Sequence, residues 1–419
     1  MTHAAKLWWV ALALVIGAGC VPIVVNPDRG LEHCRWPEAV IAFEDAALEA
    51  VVRADLALEE GAPVTCRALA RLRRLNANDA GVTSFAGLED AAYLNRIDAR
   101  GNQVSDLGPL SGLPRLARLS LSGNVVHDLS TLGDAPALQS LDLRGNGVRD
   151  LNGIETLTGL RQLDLRDNEI SDLGPLRALS ELSELLAQNN AVERVDALAG
   201  LLALTVLRLD GNAIVDARPL GSLDALQTLS LRGNPLADVT FVFNLARLEV
   251  LDLQATGIGD VSPLFLLDAL QTLNLSRNEI DDVSALAELR SLRTLNLAQN
   301  AVLDVAPLAG LTGLVTLDLQ RNQIEDVTPL RGLTSLETLY LQRNAIVAVD
   351  ALGGLTRLTR VELSRNQLRD ASVLARLPAL TRVGLDRNCL DLEGDAIGLI
   401  EQLLEAGVEV EYEPQVACP

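Results

Sequence analysis

Leucine and other aliphatic residues recur along most of the chain in one fixed pattern. In LQSLDLRGNGVRDL, which begins at residue 138, Leu141 and Leu143 alternate with Ser140, Asp142 and Arg144. Alternation with a period of two predicts a short strand with one buried face. A nearly identical stretch, LRQLDLRDNEISDL, begins 22 residues later. One short strand cannot bury its own apolar face, so the pattern predicts a stack of parallel strands that share a core.

An asparagine marks the same position in each 22-residue unit. Steps of 22 in both directions from Asn146 give fourteen positions between residues 102 and 388, of which one, Thr256, is not asparagine. A buried asparagine can bond backbone groups of its own coil and of the next coil, which would cost about 1–3 kcal/mol each if left bare. We name the thirteen asparagines the asparagine ladder: Asn102, Asn124, Asn146, Asn168, Asn190, Asn212, Asn234, Asn278, Asn300, Asn322, Asn344, Asn366 and Asn388.

Each unit has the form L-x-x-L-x-L-x-x-N-x-[IVL]-x-D-[LV]-x-x-L, often with a proline just before the last leucine. In this form the chain resembles the leucine-rich repeat family, and the 22-residue unit is similar to the internalin and phosphatase-regulator classes. The resemblance covers about residues 72–392. It implies an α/β leucine-rich repeat solenoid, which is a right-handed horseshoe with a parallel concave sheet and short helical or irregular convex turns.

An aspartate lies four residues after the asparagine in most units. Sequences such as LGPL or VSPL follow it, so its side chain is placed to cap a short helical turn by accepting bonds from free N–H groups. A column of calcium ions is the alternative, but one oxygen ligand per unit falls short of the six to eight that calcium takes. The aspartates are Asp106, Asp128, Asp150, Asp172, Asp216, Asp238, Asp260, Asp282, Asp304, Asp326 and Asp370.

The first twenty residues, MTHAAKLWWVALALVIGAGC, predict an export signal. Lys6 precedes an apolar run from Leu7 to Ala18, which at about a dozen residues is short for a transmembrane span. The ending GAGC resembles a bacterial lipobox, which implies acylation of Cys20, although that family usually has leucine where this chain has Gly17. Ordinary signal cleavage nearby and an uncleaved anchor are the alternatives.

The two ends of a repeat array expose its core and need covers. Segment 37–58 has apolar residues at helical spacing and resembles the helical cap of internalin-type proteins, and residues 395–414 predict a helix, Gly407, and a strand from Val408 to Tyr412. The predicted organisation is a signal peptide (1–19), a lipidated cysteine and linker (20–36), a helical N-terminal cap (37–71), the repeats (72–392) and a C-terminal cap (393–419).

Four further cysteines lie in pairs at the two ends of the chain. Export would place them in an oxidising compartment, where four cysteines allow three pairings. We predict Cys34–Cys66 and Cys389–Cys418, each closing a terminal segment; four free thiols are the alternative. Zinc ligation is disfavoured, because the chain has no CxxC motif and only three histidines.

The sequence offers no arrangement of residues that predicts catalysis. A serine triad needs a base, and after export only His33 and His127 remain. Dinucleotide-binding, phosphate-binding and HExxH motifs do not occur in it. The formal charge of −21 disfavours nucleic acid as a partner. We therefore expect a monomeric binding protein that needs no cofactor or metal, rather than an enzyme.

Charged side chains alternate on the predicted concave face, to which residues six, four and two places before each asparagine should point. Neutralisation across the sheet is the simplest role for these charges, at about 0.2–1 kcal/mol per pair. Aspartate four places back and arginine two places back recur in three early units: Asp98/Arg100, Asp142/Arg144 and Asp164/Arg166.

Partner-binding candidates are residues that interrupt this polar pattern. Aliphatic side chains fall on the concave face in the middle units, and Tyr340 is the only aromatic residue expected there. Tyrosine and arginine in a desolvated patch are typical of interface hot spots, whereas scattered apolar residues on a surface need no explanation. The candidate set is Leu186, Val206, Arg208, Val250, Tyr340, Gln342 and Arg360.

Arginine replaces glycine immediately before the asparagine in several later units. These arginines should stack along one edge of the sheet, about 4.8 Å apart where units adjoin. One hypothesis is that they grip an acidic partner, a sulfated glycan or lipid headgroups; the other is that they pair with acids such as Glu279, Glu325 and Asp386. They form a basic rim of Arg277, Arg321, Arg343, Arg365 and Arg387.

Three classes of function are consistent with these features. The first is an exported, lipid-anchored protein of the bacterial cell envelope that recognises a protein or peptide on its concave face. The second is a structural or adhesive surface module that binds glycan or self-associates. The third, a regulatory docking subunit, is implied by the likeness to phosphatase regulators, and the export signal argues against it.

Overall fold

The computed structural model describes residues 36–133 and 135–416. Within them, sixteen short strands form a single parallel sheet, and each strand pairs with the next one along the chain. Paired residues in neighbouring repeat strands are 22 apart, as where Leu141 faces Leu163. The fold is the predicted leucine-rich repeat solenoid. The predicted signal peptide, Cys20, Cys34 and Cys418 lie outside the described residues.

Each strand is three residues long, because only the central part of each unit has the alternating pattern. The strands are β1 (Arg74–Asn76), β2 (Arg96–Asp98), β3 (Arg118–Ser120), β4 (Ser140–Asp142), β5 (Gln162–Asp164), β6 (Glu184–Leu186), β7 (Val206–Arg208), β8 (Thr228–Ser230), β9 (Val250–Asp252), β10 (Thr272–Asn274), β11 (Thr294–Asn296), β12 (Thr316–Asp318), β13 (Thr338–Tyr340), β14 (Arg360–Glu362), β15 (Arg382–Gly384) and β16 (Glu409–Glu411).

From β2 to β15, the return path of each coil carries a short 3-10 helix. Each of the eleven predicted aspartates accepts a bond from the backbone N–H two residues later, as Asp260 does from Ser262 at 2.8 Å. The predicted capping role is confirmed. These helices span Gly108–Leu110, Ser130–Leu132, Ile154–Thr156, Gly174–Ala178, Asp196–Leu198, Arg218–Ser222, Thr240–Asn244, Ser262–Leu266, Ser284–Glu288, Ala306–Gly310, Thr328–Gly332, Asp350–Gly354 and Ser372–Arg376.

The asparagine ladder joins each coil to the one before it. Asn212 illustrates the arrangement: its Oδ1 accepts the Val192 N–H at 3.0 Å, and its Nδ2 donates to the carbonyls of Ala187 and Leu209. Between the ladder and the 3-10 helices lies a continuous aliphatic core, in which residues such as Leu209 are fully buried. The ladder therefore satisfies backbone groups that the stacked coils would otherwise bury without a partner.

Thr256, the one departure from the ladder, is compensated locally. Its hydroxyl donates to the Leu253 carbonyl at 2.8 Å, which replaces one of the amide bonds. The N–H of Leu236, which an asparagine at position 256 would accept, donates instead to the carbonyls of Asn234 and Thr256. Asn278 in the next coil accepts from the backbone N–H groups of both Thr256 and Gly257.

The N-terminal cap contains two helices, α1 (Ala46–Asp55) and α2 (Cys66–Leu69). Helix α1 is shorter than the segment 37–58 whose periodicity predicted it. The segment before it is extended, because Val40 bridges Thr65 and the Ile41 N–H donates to the Val64 carbonyl. The apolar residues of 37–45 therefore belong to a different local structure, and their helical spacing was misleading.

Asp45 fixes helix α1 to the first coil. Its Oδ1 accepts the N–H groups of Ala47 and Leu48, and its Oδ2 accepts the N–H and hydroxyl of Thr83 and the N–H of Ser84. Burial acts to raise the pKa of Asp45, but the bonds from Thr83, Leu48 and Ala47 prevail and lower it to about 2.

The C-terminal cap consists of α3 (Asp395–Glu405) and β16, close to the helix and strand predicted there. Strand β16 pairs with β15 as a sixteenth parallel strand. Beyond it, Gln415 takes the place of the asparagine that a further coil would supply. Its Nε2 donates to the Leu385 carbonyl at 3.0 Å, and its Oε1 accepts the N–H groups of Asn388 and Leu390 at 3.0 and 3.4 Å.

Cysteines lie near both ends of the repeat array. Cys66 begins helix α2, Cys389 follows the last asparagine of the ladder, and each of the two is in a disulfide. The predicted partners lie outside the described residues, so the pairing stays a prediction. Among residues 36–133 and 135–416 there is no helix long and apolar enough to cross a membrane.

Candidate functional site

The early units of the concave face carry a network of paired charges. Arg166 and Asp164 pair within one coil, with a closest contact of 2.5 Å. Arg144 pairs instead with Asp167 of the next coil at 2.8 Å, and Arg100 reaches Asp142 at 3.6 Å. The predicted neutralisation of these charges is confirmed, although two of the three predicted arginines have a different partner. These acids and bases satisfy each other and leave little charge for a ligand.

The middle units place the aliphatic candidates close to one another but not in a continuous patch. Leu186 lies beside Arg208 in the next strand, and Val206 lies diagonally from Leu186. Thr228 separates Val206 from Val250 in the register of β7, β8 and β9. Arg208 is exposed, and it forms no ion pair within the described part of the chain.

Next to these residues lies a polar depression of about 580 Å³. Arg208 and Arg232 line it together with Asp210 and Asp252. Asp210 is occupied, because it accepts bonds from the Ser230 hydroxyl and from the Arg232 backbone N–H. Burial raises the pKa of Asp252 despite bonds from Gln254 and Asn274. The two arginines are therefore the side chains best placed to meet a ligand in this depression.

Tyr340 and Arg360 form the most developed cluster on the face. The Arg360 guanidinium lies 5.3 Å from the centre of the half-buried Tyr340 ring, which is a cation–π distance. On its other side Arg360 pairs with Glu362 at 2.8 Å, and Arg382 of the next strand pairs with the same carboxylate at 3.3 Å. Glu362 is 8 % exposed. Two arginines thus share one buried acid, and the ring is held in place by the first of them.

Gly384 leaves the room that Glu362 needs. A Cβ at position 384 would collide with the Glu362 carboxylate and with the Ser364 hydroxyl. The backbone of Gly384 is in an ordinary strand conformation, so the requirement for glycine is steric. The sequence pattern gave no reason to single out Glu362 or Gly384, since both fall at a position that varies from coil to coil.

Gln342 belongs to a chain of polar side chains beside Tyr340. Its Nε2 donates to the Gln320 Oε1 at 2.9 Å, and the Gln320 Nε2 donates to Asp318 at 2.9 Å. Burial raises the pKa of Asp318, which the bonds from Gln320 oppose. The Gln342 Oε1 is buried and accepts no hydrogen bond from the described residues. The candidates Tyr340, Gln342 and Arg360 therefore lie in the same part of the sheet, on β13, just after it and on β14.

The structure separates this site from the aliphatic candidates. Leu186 lies on β6 and Tyr340 on β13, seven strands apart, which corresponds to about 34 Å along the sheet. A single small ligand cannot touch both. Only an extended partner could use the whole candidate set at once.

The basic rim is exposed and has an unusual backbone. Its five arginines all have a positive φ, from 53° at Arg387 to 62° at Arg343 and Arg365. Glycine fills the same position in earlier coils, as at Gly123 with a φ of 67°. Of the hypothesised acidic partners only Asp386 is engaged, by Arg387 at 3.8 Å. Pairing with Glu279 and Glu325 is not observed in the structure.

The groups that could suggest other chemistry have structural explanations. His127 is exposed in a return loop, with its Nδ1 3.1 Å from the Gly147 carbonyl. Across residues 36–133 and 135–416, no group of three or more His, Cys, Asp or Glu is placed to hold a metal ion.

One exposed apolar feature was missed by the sequence analysis because it lies outside the sheet. Phe243 and Phe265 project from successive 3-10 helices with their ring centres 6.3 Å apart in an edge-to-face arrangement. They are 43 % and 47 % exposed. Most other units have a small or charged residue at the same place, and this difference was a signal in the sequence that could have identified them.

The geometry is that of a leucine-rich repeat solenoid whose varied side chains lie on the concave sheet. The family described as Leucine rich repeat matches residues 246–302, and Leucine Rich repeats (2 copies) matches residues 136–178 and 290–332. No curated relative matches the sequence.

Solved structures share this fold over most of the chain. An internalin (inlF) from Listeria monocytogenes is 29 % identical, with a TM-score of 0.69, over 81 % of this chain and 95 % of that one. The leucine-rich repeat protein LIC12759 of Leptospira interrogans is 24 % identical, with a TM-score of 0.71, over 82 % and 97 %. The plant peptide hormone receptor RGFR1, in complex with RGF2, is 17 % identical, with a TM-score of 0.65, over 85 % and 64 %. Leucine-rich repeat folds typically serve as binding scaffolds rather than as enzymes.

Proposed function

We propose that this protein is an exported binding protein of the bacterial cell envelope, anchored by a lipid on Cys20, that recognises a protein or peptide partner through its concave face. The observation that carries the proposal is the cluster of Tyr340, Arg360 and Glu362. The anchor and the location rest on the sequence of the first twenty residues.

The cluster has the properties of an interface hot spot. Tyrosine and arginine are enriched in hot spots because they combine apolar area with directed hydrogen bonds. Here the Tyr340 ring is already covered on one side by Arg360, which Glu362 holds at 2.8 Å. Side chains ordered before binding lose less conformational entropy when a partner docks. Tyr340 is therefore already ordered in a position where its ring can contact a partner.

Two further observations support a macromolecular partner. The candidates on β6 and β13 lie about 34 Å apart, a distance that an extended peptide or a protein surface can span. Among the similar structures, the plant receptor RGFR1 is in complex with RGF2.

The test is capture of a partner from envelope extracts with the full-length protein as bait. Tyr340→Asp and Leu186→Asp are made separately, because the two positions are too far apart to act as one. Leu303→Asp is the matched control, since Leu303 is 58 % exposed and lies outside the strands. We expect Tyr340→Asp to lose a partner that both the wild type and Leu303→Asp retain.

Retention of the same partner by both Tyr340→Asp and Leu186→Asp would contradict the proposal. The second candidate function, an adhesive module that binds glycan or self-associates, is favoured only by the exposed rim arginines. It predicts binding that weakens as salt rises. No observation favours a regulatory docking subunit.

A further inference from the structure

Four arginines of the rim occupy consecutive coils and form what we term the arginine column: Arg321, Arg343, Arg365 and Arg387. Hydrogen bonds fix their spacing, because the N–H of each donates to a carbonyl of the following coil or of the C-terminal cap, at 2.5–2.9 Å. Neighbouring parallel strands lie about 4.8 Å apart, so the column is about 14 Å long. Arg277 is separated from it by Gln299.

The column is held in a conformation that arginine disfavours. A positive φ brings Cβ too close to the carbonyl oxygen in any residue other than glycine. Gly101, Gly123 and Gly145 show that the same turn forms with glycine in this array. The solenoid therefore does not need arginine at these positions.

The positive charges also repel one another. Arg321, then Arg365, and more weakly Arg387, lower the pKa of Arg343. Within the described residues, Arg321, Arg343 and Arg365 form no ion pair. The charge of the column is thus available to a ligand.

Neutral side chains line the concave side of the column. Gln320, Gln342 and Ser364 stand immediately before the first three arginines, so the surface next to these arginines offers hydrogen bonds rather than counter-charges. At the C-terminal end, the acids Glu409 and Glu411 of β16 pair with Arg382 at 3.1 and 3.9 Å, rather than with the arginine column.

We propose that the arginine column binds a short, extended acidic segment of a partner protein. This inference rests on the proposed function, since it describes the kind of protein segment that the concave face receives. A column of about 14 Å matches four to five extended residues at about 3.3 Å each. Guanidinium groups pair with carboxylates through two parallel hydrogen bonds. A long sulfated polysaccharide would continue past the column onto a protein with a formal charge of −21.

The test measures binding of a fluorescent peptide with five consecutive glutamates to the full-length protein by anisotropy. The central variant is Arg321→Gly/Arg343→Gly/Arg365→Gly, which restores the residue that earlier coils carry and so is expected to fold. The Lys version of the same triple keeps the charge. Arg247→Gln/Arg331→Gln/Arg376→Gln removes three charges outside the column and controls for net charge.

We expect the glycine variant to lose affinity about tenfold or more at low salt, as three ion pairs of partly exposed groups predict. The lysine variant should keep most of the affinity, and the control triple should bind within about twofold of the wild type. Equal binding by the glycine variant would overturn the inference, as would no binding by the wild type. Tighter binding of dextran sulfate than of the glutamate peptide would overturn the inference that the ligand of the column is a protein segment.

The partner captured from envelope extracts separates this inference from the proposed function. If the glycine variant retains a partner that Tyr340→Asp loses, the column does not bind an acidic segment of that partner. The proposed function of the concave face then stands. If the glutamate peptide binds through the column but Tyr340→Asp and Leu186→Asp retain every captured partner, the proposed function is wrong and the column still binds acidic peptides.

Discussion

Asn278→Ala should destabilise the array more than Asn146→Ala, the same truncation at an earlier position of the asparagine ladder. Most ladder amides donate to carbonyls that a second side chain also serves. When Asn278 is truncated, the Leu253 carbonyl still accepts a hydrogen bond from the Thr256 hydroxyl, and the Leu275 carbonyl still accepts one from the Asn300 amide. The N–H groups that donate to the Asn278 Oδ1 have no such substitute. The cost of truncation should therefore follow the number of N–H groups that lose their acceptor.

The magnitude follows from the comparison with Asn146. Its Oδ1 accepts one N–H, that of Val126, whereas the Asn278 Oδ1 accepts those of Thr256 and Gly257. A buried group without a partner costs about 1–3 kcal/mol. We expect Asn146→Ala to cost about 1–3 kcal/mol and Asn278→Ala about 2–5 kcal/mol.

The assay is urea denaturation followed by circular dichroism. The free energies of unfolding are compared between variants for which this free energy has the same dependence on urea concentration. Asn146→Ala is the matched control, because both asparagines are largely buried at 4 % and 9 % exposure. Equal losses of unfolding free energy at the two sites, or a larger loss at Asn146, would refute the reasoning. The bonds that the side-chain amides donate to carbonyls would then contribute more to stability than the bonds that their oxygens accept.

Four further predictions concern single side chains. Arg343→Gly should raise the free energy of unfolding by about 1 kcal/mol in the same assay, because glycine relieves the positive φ and the repulsion between arginines. The folded pKa of Asp45, about 2, lies below its usual 3.8, so its contribution to stability is present above pH 4 and is lost towards pH 2; Asp45→Asn should flatten that dependence in acid titrations. Gly384→Ala should displace Glu362 and cost about 1–3 kcal/mol on thermal unfolding. Gln415→Ala should speed hydrogen exchange of the backbone amides whose N–H groups donate to the Gln415 side chain.

Each of these predictions has a contradicting result. Destabilisation by Arg343→Gly would mean that the arginine side chain makes a stabilising contact. An unchanged acid transition in Asp45→Asn would mean that other carboxylates control it. Wild-type stability of Gly384→Ala would show that Glu362 has room to move. Unaltered exchange in Gln415→Ala, with Asn124 amide exchange as an internal reference, would mean that β16 alone protects the C-terminal end.

The repeat register was fully predictable because each coil obeys the same packing constraint as its neighbours. A leucine in a period-two pattern and an asparagine every 22 residues leave one consistent way to stack the strands. The N-terminal helix was overestimated, since the apolar spacing of residues 37–45 suits a helix but Val40 bridges Thr65.

The details of the candidate site were less predictable, because each arginine can reach several acids. Arg144 has Asp142 two residues away, yet its side chain pairs with Asp167 of the next coil. Sequence spacing gives such neighbours but not the rotamer that chooses between them. The positive φ of the rim arginines was foreseeable from the glycines that fill that position in early coils, although only the structure shows that the backbone stays the same when arginine replaces glycine.

The C-terminal cap also bears on how such a chain can change in length. Gln415 binds one carbonyl and two N–H groups that every coil of the array offers at the same place. Through Gln415 the cap therefore recognises backbone groups that any coil presents. Duplication or deletion of a whole 22-residue segment would leave that junction intact, so the span of the molecule can grow or shrink by units while its ends are reused.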